Sequence, residues 1–335
     1  MKAVRLNELG GPEKLHIETI PDPEPGAGEI AVKIHRAAYN RRDVFITQGL
    51  YPGIELPRTL GSDGAGVVAA LGPGADGPPV GTPVVIDPMI GWGGDPHVWT
   101  GQQSILGMPH DGTFAEYCVV PAINVHKKPA HLSDDEAAAI PLAGLTAYRA
   151  LITRGRCTSA DSVLITGIGG GVQTFALLFA KHIGAKVVVT SSSDEKLERA
   201  KAMGADVTIN YKQSENWSKE ARAAAGGGGP TLVIDSAGGD TFAKCLNIAR
   251  PGARIVTYGG TLGDAKVRMF DIFWKHLDIM GTSMGSPQDF AGMLALFETG
   301  LRPAVDEVVP MEDAAAAAER INKSEQFGKV VLAIS

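Results

Sequence analysis

Residues 161–206, DSVLITGIGGGVQTFALLFAKHIGAKVVVTSSSDEKLERAKAMGAD, constrain the fold more than any other stretch. Residues 162–166 are a short apolar, β-branched run, four of the five residues 167–171 are glycine, and 174–182 are apolar helix formers. A second strand is expected at 186–190, followed by the start of another helix. Strand, glycine turn, helix and strand form the unit that seats a dinucleotide pyrophosphate on a helix N-terminus, where free N–H groups and the helix dipole favour negative charge. A glycine motif alone is weak evidence, but this one lies between strand and helix as the mechanism requires. Gly167, Gly170 and Gly171 can make the tight turn and the close backbone approach. Gln173 takes the place where a third glycine usually lets helix and strand pack closely.

The chain has 335 residues, enough for two domains with cores of their own. A formal charge of -6, without clustered Lys and Arg, argues against a nucleic-acid surface. Cys118, Cys157 and Cys245 are odd in number and widely spaced, which fits a reducing compartment rather than a disulfide framework. The start, MKAVRLNELG, has no apolar signal region, and no apolar run approaches the roughly 20 residues of a membrane helix. A soluble cytoplasmic protein is expected.

Residues 1–125 read as a compact, barrel-like β domain. Short strands are expected at 2–6, 15–19, 29–38, 64–71 and 83–87, separated by Pro and Gly clusters such as PDPEPGAGE. Residues 40–48 can form a short helix, and 89–110 a long loop holding Trp92, Asp95, His97, Trp99 and His110. Ser133, with Glu136 three residues on, marks a helix start leading into the second domain. Strands at 207–210, 231–235, 253–259 and 277–281 alternate with helices, so the fold class is α/β with a doubly wound parallel sheet. A helix at 314–318 and a last strand at 328–334 are expected to return to the β-rich domain. The expected division is 1–125 with 300–335, and 126–299, with the active site in the cleft between them.

Several blocks carry a resemblance over nearly the full length: NRRDVFITQGLYP (40–52), LGSDGAGVV (60–68), DGTFAEYCVVP (111–121), PLAGLTAY (141–148), VLITGIGGGVQ (163–173), LVIDSAGG (232–239), PGARIVTYG (251–259) and FGKVVL (327–332). In this order they resemble the medium-chain dehydrogenase/reductases, specifically the zinc-independent, zeta-crystallin-like NADPH:quinone oxidoreductases. The resemblance implies a GroES-like catalytic domain beside a Rossmann domain. It also implies cofactor contacts at Thr146, Gly167, Gly170, Gly171, Val172, Ser191, Ser192, Lys196, Tyr211, Ala237, Gly238, Tyr258, Gly259, Phe327 and Lys329.

Zinc alcohol dehydrogenases of the same superfamily carry a Cys in the first block, a His-Glu pair in the second, and a Cys or acidic ligand before the linking helix. The corresponding positions here are Asn40, Ser62-Asp63 and Leu142, and Asn, Ser and Leu are not zinc ligands. Residues 89–110 stand where those relatives hold a structural zinc and contain no cysteine. No metal is expected. Without a Lewis acid the acceptor should be intrinsically electrophilic, a quinone or α,β-unsaturated carbonyl, with hydrogen-bond donors at its oxygen. Asn40 and Tyr51 are the candidate donors, and Asp63 is expected to hydrogen-bond beside them. Tyr51 can equally be a packed ring whose hydroxyl meets a backbone carbonyl. Arg42 and Asp43 are read as orienting the segment, and Trp92 as excluding water.

NADPH is the expected cofactor. Ser191, Ser192 and Ser193 follow the second strand where an NAD site usually has an acid for the ribose hydroxyl. Asp194 and Glu195 fall in a first helical turn, where acids complement the dipole. Lys196 and Tyr211 match family positions that contact the 2′-phosphate. A homodimer is expected through residues 278–284, an apolar edge strand. The alternatives are a zinc-type alcohol dehydrogenase-like enzyme and a non-catalytic, crystallin-like or RNA-binding protein, the latter disfavoured by the acidic balance.

Overall fold

The computed structural model describes all 335 residues, and the chain divides into two compact units. Met1–Leu145 and Ser286–Ser335 form one, and Thr146–Gly285 forms the other. The segment around Ser133 and the helix Pro287–Phe297 thus belong to the β-rich unit, although the sequence grouped them with the nucleotide-binding part.

The β-rich unit is built around Glu29–Ala38, the longest strand. It pairs antiparallel with Asp63–Leu71, Tyr117–Pro121 and the closing strand Lys329–Ala333. In sheet order the strands are Val125–Lys127, Pro83–Ile86, Asp63–Leu71, Glu29–Ala38, Lys329–Ala333 and Val305–Pro310. Glycine sets how tightly the central pair can cross, because a Cβ at Gly66 would lie 1.9 Å from the Lys33 carbonyl oxygen. The resulting register puts Ala38 opposite both Asp63 and Val331. Asp63, the residues just after Ala38, and Lys329 are thereby brought to one end of the sheet. Ile30, Val32, Ile34, Leu60, Phe114, Val330 and Leu332 fill the core beneath.

Residues 89–110 are not all loop. Met89–Ile90 pairs with Ser104–Ile105 as a two-stranded ribbon. Trp92 is buried within this segment: its indole N–H donates to the Asp95 carbonyl at 2.7 Å, and its own carbonyl accepts from the Thr100 and Gly101 N–H groups.

The second unit is a Rossmann sheet of six parallel strands. Their order is Val207–Asn210, Lys186–Ser191, Ser162–Ile165, Leu232–Asp235, Arg254–Thr257 and Asp278–Gly281. Strand order reverses between Ser162–Ile165 and Leu232–Asp235, which places the crevice for a ligand beyond their carboxyl ends. The central strands Ser162–Ile165 and Leu232–Asp235 are buried on both faces, as helices covering both sides require, whereas the edge strand Asp278–Gly281 is largely exposed. No helix is long and apolar enough to cross a membrane.

Candidate active site

At the switch point the chain makes the glycine turn. Gly167 has φ +67° and its N–H donates to Thr190 Oγ1 at 3.1 Å. The helix Gly171–Ile183 starts after Gly170 with no side-chain cap, so side chains do not satisfy the first-turn donors. The third-glycine position works differently from the usual motif. Gln173 Nε2 donates to Ser236 Oγ at 2.8 Å, tying the helix to the end of the neighbouring strand where a glycine would allow only contact.

The adjacent turn gathers the residues expected at the ribose. Tyr211 N–H donates to the Ser191 carbonyl, and Ser193 Oγ caps the helix Asp194–Ala202. Lys196 lies across the glycine turn, its Nζ 3.3 Å from where a Cβ on Gly169 would stand. Asp194 is occupied elsewhere, accepting from Asn210 Nδ2 and Gln213 Nε2 at 2.7 Å each. Those two hydrogen bonds hold its carboxyl below the usual range. Ser192 and Val172 are half-buried beside the turn, and Thr146 is buried.

Across the crevice, Gly238 takes φ +70° and donates its N–H to Asp235 Oδ2, while Thr166 Oγ1 holds Asp235 Oδ1 at 2.6 Å. The Ala237 carbonyl accepts from Leu262 N–H, and Tyr258 N–H donates to the Asp235 carbonyl. Gly259 packs against Ser236, with space for a Cβ only 3.2 Å from the Ser236 carbonyl oxygen.

The β-rich unit carries a buried charged cluster. Asp63 has no solvent exposure, and its Oδ2 accepts from Lys329 Nζ at 2.8 Å and from Asn40 Nδ2 at 2.9 Å. Its Oδ1 accepts from the Leu142 backbone N–H at 2.7 Å, so Leu142 contributes to the site through its main chain. Lys329 is 2% exposed and also donates to the Tyr39 carbonyl and to Asn40 Oδ1. Three acceptors use all three ammonium donors. Lys329, expected at the cofactor, lies in this cluster, with Phe327 buried two residues before it. Asn40 is thereby oriented, its oxygen toward the ammonium and its nitrogen toward the carboxylate, with one amide hydrogen left over.

Asn40 precedes the helix Arg41–Thr47, whose first turn supplies Arg42 and Asp43. Asp43 Oδ2 accepts from the Asn40 N–H at 2.8 Å. Burial raises the Asp43 carboxyl to about 6, against the lowering effects of the Arg42 charge and the Asn40 N–H. Arg42 Nη1 donates to Ser62 Oγ at 2.6 Å and to the Leu106 carbonyl at 2.8 Å. Ser62 in turn donates to the Leu106 carbonyl. Tyr51 faces Arg42, the guanidinium carbon 4.8 Å from its ring centroid. Asn40, Asp63 and Lys329 therefore form one hydrogen-bonded group, and Arg42, Ser62 and the Leu106 carbonyl another, with the Tyr51 ring against the guanidinium.

Zinc does not fit this donor set. Ser62 is committed to a guanidinium and a carbonyl, Asn40 to an ammonium and a carboxylate, and Leu142 offers no side-chain ligand. Asp63 is already neutralised by Lys329. No three His, Cys, Asp or Glu side chains gather anywhere in the chain to hold a metal.

A GroES-like β unit joined to a Rossmann unit with a glycine turn at its switch point defines a nicotinamide-dependent oxidoreductase fold. The comparisons agree: residues 26–130 match the alcohol dehydrogenase GroES-like domain and 171–299 the zinc-binding dehydrogenase family. The chain belongs to the medium-chain dehydrogenase/reductase superfamily and is an oxidoreductase of that superfamily. It is similar to a zinc-type alcohol dehydrogenase-like protein of Leptosphaeria maculans, 37% identical over 96% of this chain and 94% of the relative. An acryloyl-coenzyme A reductase of Sulfurisphaera tokodaii is 30% identical over 99% of each chain. A crystal structure of an NAD-dependent alcohol dehydrogenase superposes with TM-score 0.93 at 38% identity over the whole of both chains. The first and third of these names carry an alcohol dehydrogenase rather than the quinone oxidoreductase expected from the sequence blocks.

Proposed function

We propose that the chain is an NADPH-dependent reductase of quinones or α,β-unsaturated carbonyls that works without a zinc ion. The observation that carries this reading is the donor set around Asp63, where an ammonium and an amide stand among the positions that bind zinc in metal-dependent relatives. Bound NADPH would supply the hydride. Addition at the carbon β to a carbonyl leaves an enolate, and addition to a quinone leaves a phenolate. Either oxyanion is delocalised and needs hydrogen-bond donors rather than a Lewis acid. Asn40, held by Lys329 and Asp63, offers its remaining amide hydrogen, and Tyr51 its hydroxyl. A proton from solvent completes the reduction.

The preference for NADPH rests on Lys196 lying over the glycine turn and on Asp194 being held by Asn210 and Gln213. A homodimer is part of the reading. The strand Asp278–Gly281 ends the sheet with Ile279 exposed, and Phe270, Phe273 and Trp274 of the preceding helix are exposed as well. Pairing of that edge with a second copy would satisfy its backbone.

A second reading, oxidation of an alcohol, is favoured by the names of the Leptosphaeria relative and the superposed structure. Purified protein assayed in both directions decides. Oxidation of NADPH by 1,4-benzoquinone or methyl vinyl ketone, with no reduction of NAD+ or NADP+ by an alcohol panel, is the expected result. The reverse pattern would replace this reading with the second.

A further inference from the structure

Arg42 is a buried cation that the scheme above leaves idle. It is 8% exposed, and its Nη1 is taken by Ser62 and Leu106. Nε and Nη2 are buried and have no hydrogen-bond partner, and neither does Asp43 Oδ1. An unpaired buried N–H is costly, more so on a charged group, so two on one side chain call for a physical explanation. The planarity of guanidinium supplies one, because Nε–H and one Nη2–H point the same way along a single edge. That edge is a ready-made clamp for a planar oxygen group. The opposite side is fixed by Ser62, and the Tyr51 ring lies against the face.

We infer that Arg42 is a catalytic residue: its Nε–Nη2 edge binds the acceptor's carbonyl oxygen and stabilises the negative charge that develops there when hydride is added. This deepens the reading above and rests on it. The hydride brings two electrons to the β-carbon, the carbon–carbon π pair shifts, and the carbonyl π pair settles on oxygen against the guanidinium. Arg42 donates hydrogen bonds and keeps its protons. The enolate is then protonated at the α-carbon from solvent. A fixed cation can do for this oxygen what a Lewis acid does, without reorganising as charge appears.

Two measurements test it, one independent of turnover. The first uses 4-nitrophenol, whose phenolate imitates the product oxyanion and reports its own ionisation by absorbance. Wild-type protein, with or without NADP+, should bind the phenolate and lower the apparent pKa of the bound probe, and Arg42→Met should abolish both effects. The second compares NADPH-dependent reduction of methyl vinyl ketone with that of 1,4-benzoquinone. Arg42→Met should lose about 100-fold or more in kcat on the enone and less on the quinone, which needs less polarisation. Arg42→Lys, which keeps the charge and loses the fork, should fall between.

Absence of nitrophenolate binding in the wild type, or equal binding in wild type and Arg42→Met, would overturn the proposal. So would equal losses on both acceptors with a lowered Tm, the pattern of a structural role. Arg42-dependent binding of the probe in a protein that reduces neither acceptor would keep the oxyanion site and discard the acceptor reading. Reduction of both acceptors with Arg42-independent binding would do the opposite.

Discussion

Lys329 Nζ lies 2.8 Å from Asp63 Oδ2, and neither side chain is more than 2% exposed. An ion pair this deep does not stabilise much by itself, because both charges have lost their hydration. Its effect is to fix Asn40, which is hydrogen-bonded to both partners. Removing one partner leaves the other charged and buried. Lys329→Met should destabilise the protein by about 3–5 kcal/mol in urea unfolding, and the double variant Lys329→Met/Asp63→Leu by clearly less than the sum of the singles. Additive losses would mean the two groups are not coupled.

Cofactor choice depends on Lys196 and Tyr211. Lys196→Ala should lower the ratio of kcat/KM for NADPH over NADH by about tenfold or more, since a charged hydrogen bond to a phosphate is worth about 1.5–3 kcal/mol. An unchanged ratio in steady-state kinetics would remove Lys196 from the cofactor site.

Asp43 should give the fold a pH dependence whose sign follows from its raised carboxyl. Its carboxyl is raised from 3.8 to about 6, chiefly by burial, so the folded state holds the proton more tightly than the unfolded chain. Stability from this group is fully present below about pH 4 and is lost as pH rises through about 6. A shift of about two units corresponds to roughly 3 kcal/mol. Asp43→Asn should remove that slope, so the stability of wild type minus variant should fall by about that amount between pH 4 and 7. A difference independent of pH would show that Asp43 titrates normally.

Much of the scaffold was legible because local signals agreed with one another. The strand Glu29–Ala38 lies where a strand-like run following the Pro and Gly cluster PDPEPGAGE placed it. The Ser133–Glu136 pair caps its helix as their spacing requires. The charged cluster was only half legible. Asn40 and Asp63 were singled out, but their contact depends on a strand register set by Gly66, which no local pattern reveals. Lys329 was assigned to the cofactor because it sits in a block shared with the family. A lysine inside the apolar run FGKVVL, in a chain with an acid inside the apolar block LGSDGAGVV, was the available sign that the two neutralise each other. Arg42 was read as orienting its helix, since nothing in NRRD says which arginine turns inward.

The edge strand gives a prediction about assembly. Ile279→Lys puts a charge on the exposed strand Asp278–Gly281 and should shift sedimentation from dimer to monomer at micromolar concentration. A wild-type protein that is already monomeric there would refute the pairing.

Metal independence is the central claim, and metal content measured beside activity tests it most directly. Protein purified without added metal should contain far less than one zinc per chain. It should reduce 1,4-benzoquinone with NADPH at the same rate before and after exhaustive dialysis against a chelator. Stoichiometric zinc, with activity lost to the chelator and restored by the metal, would contradict the account.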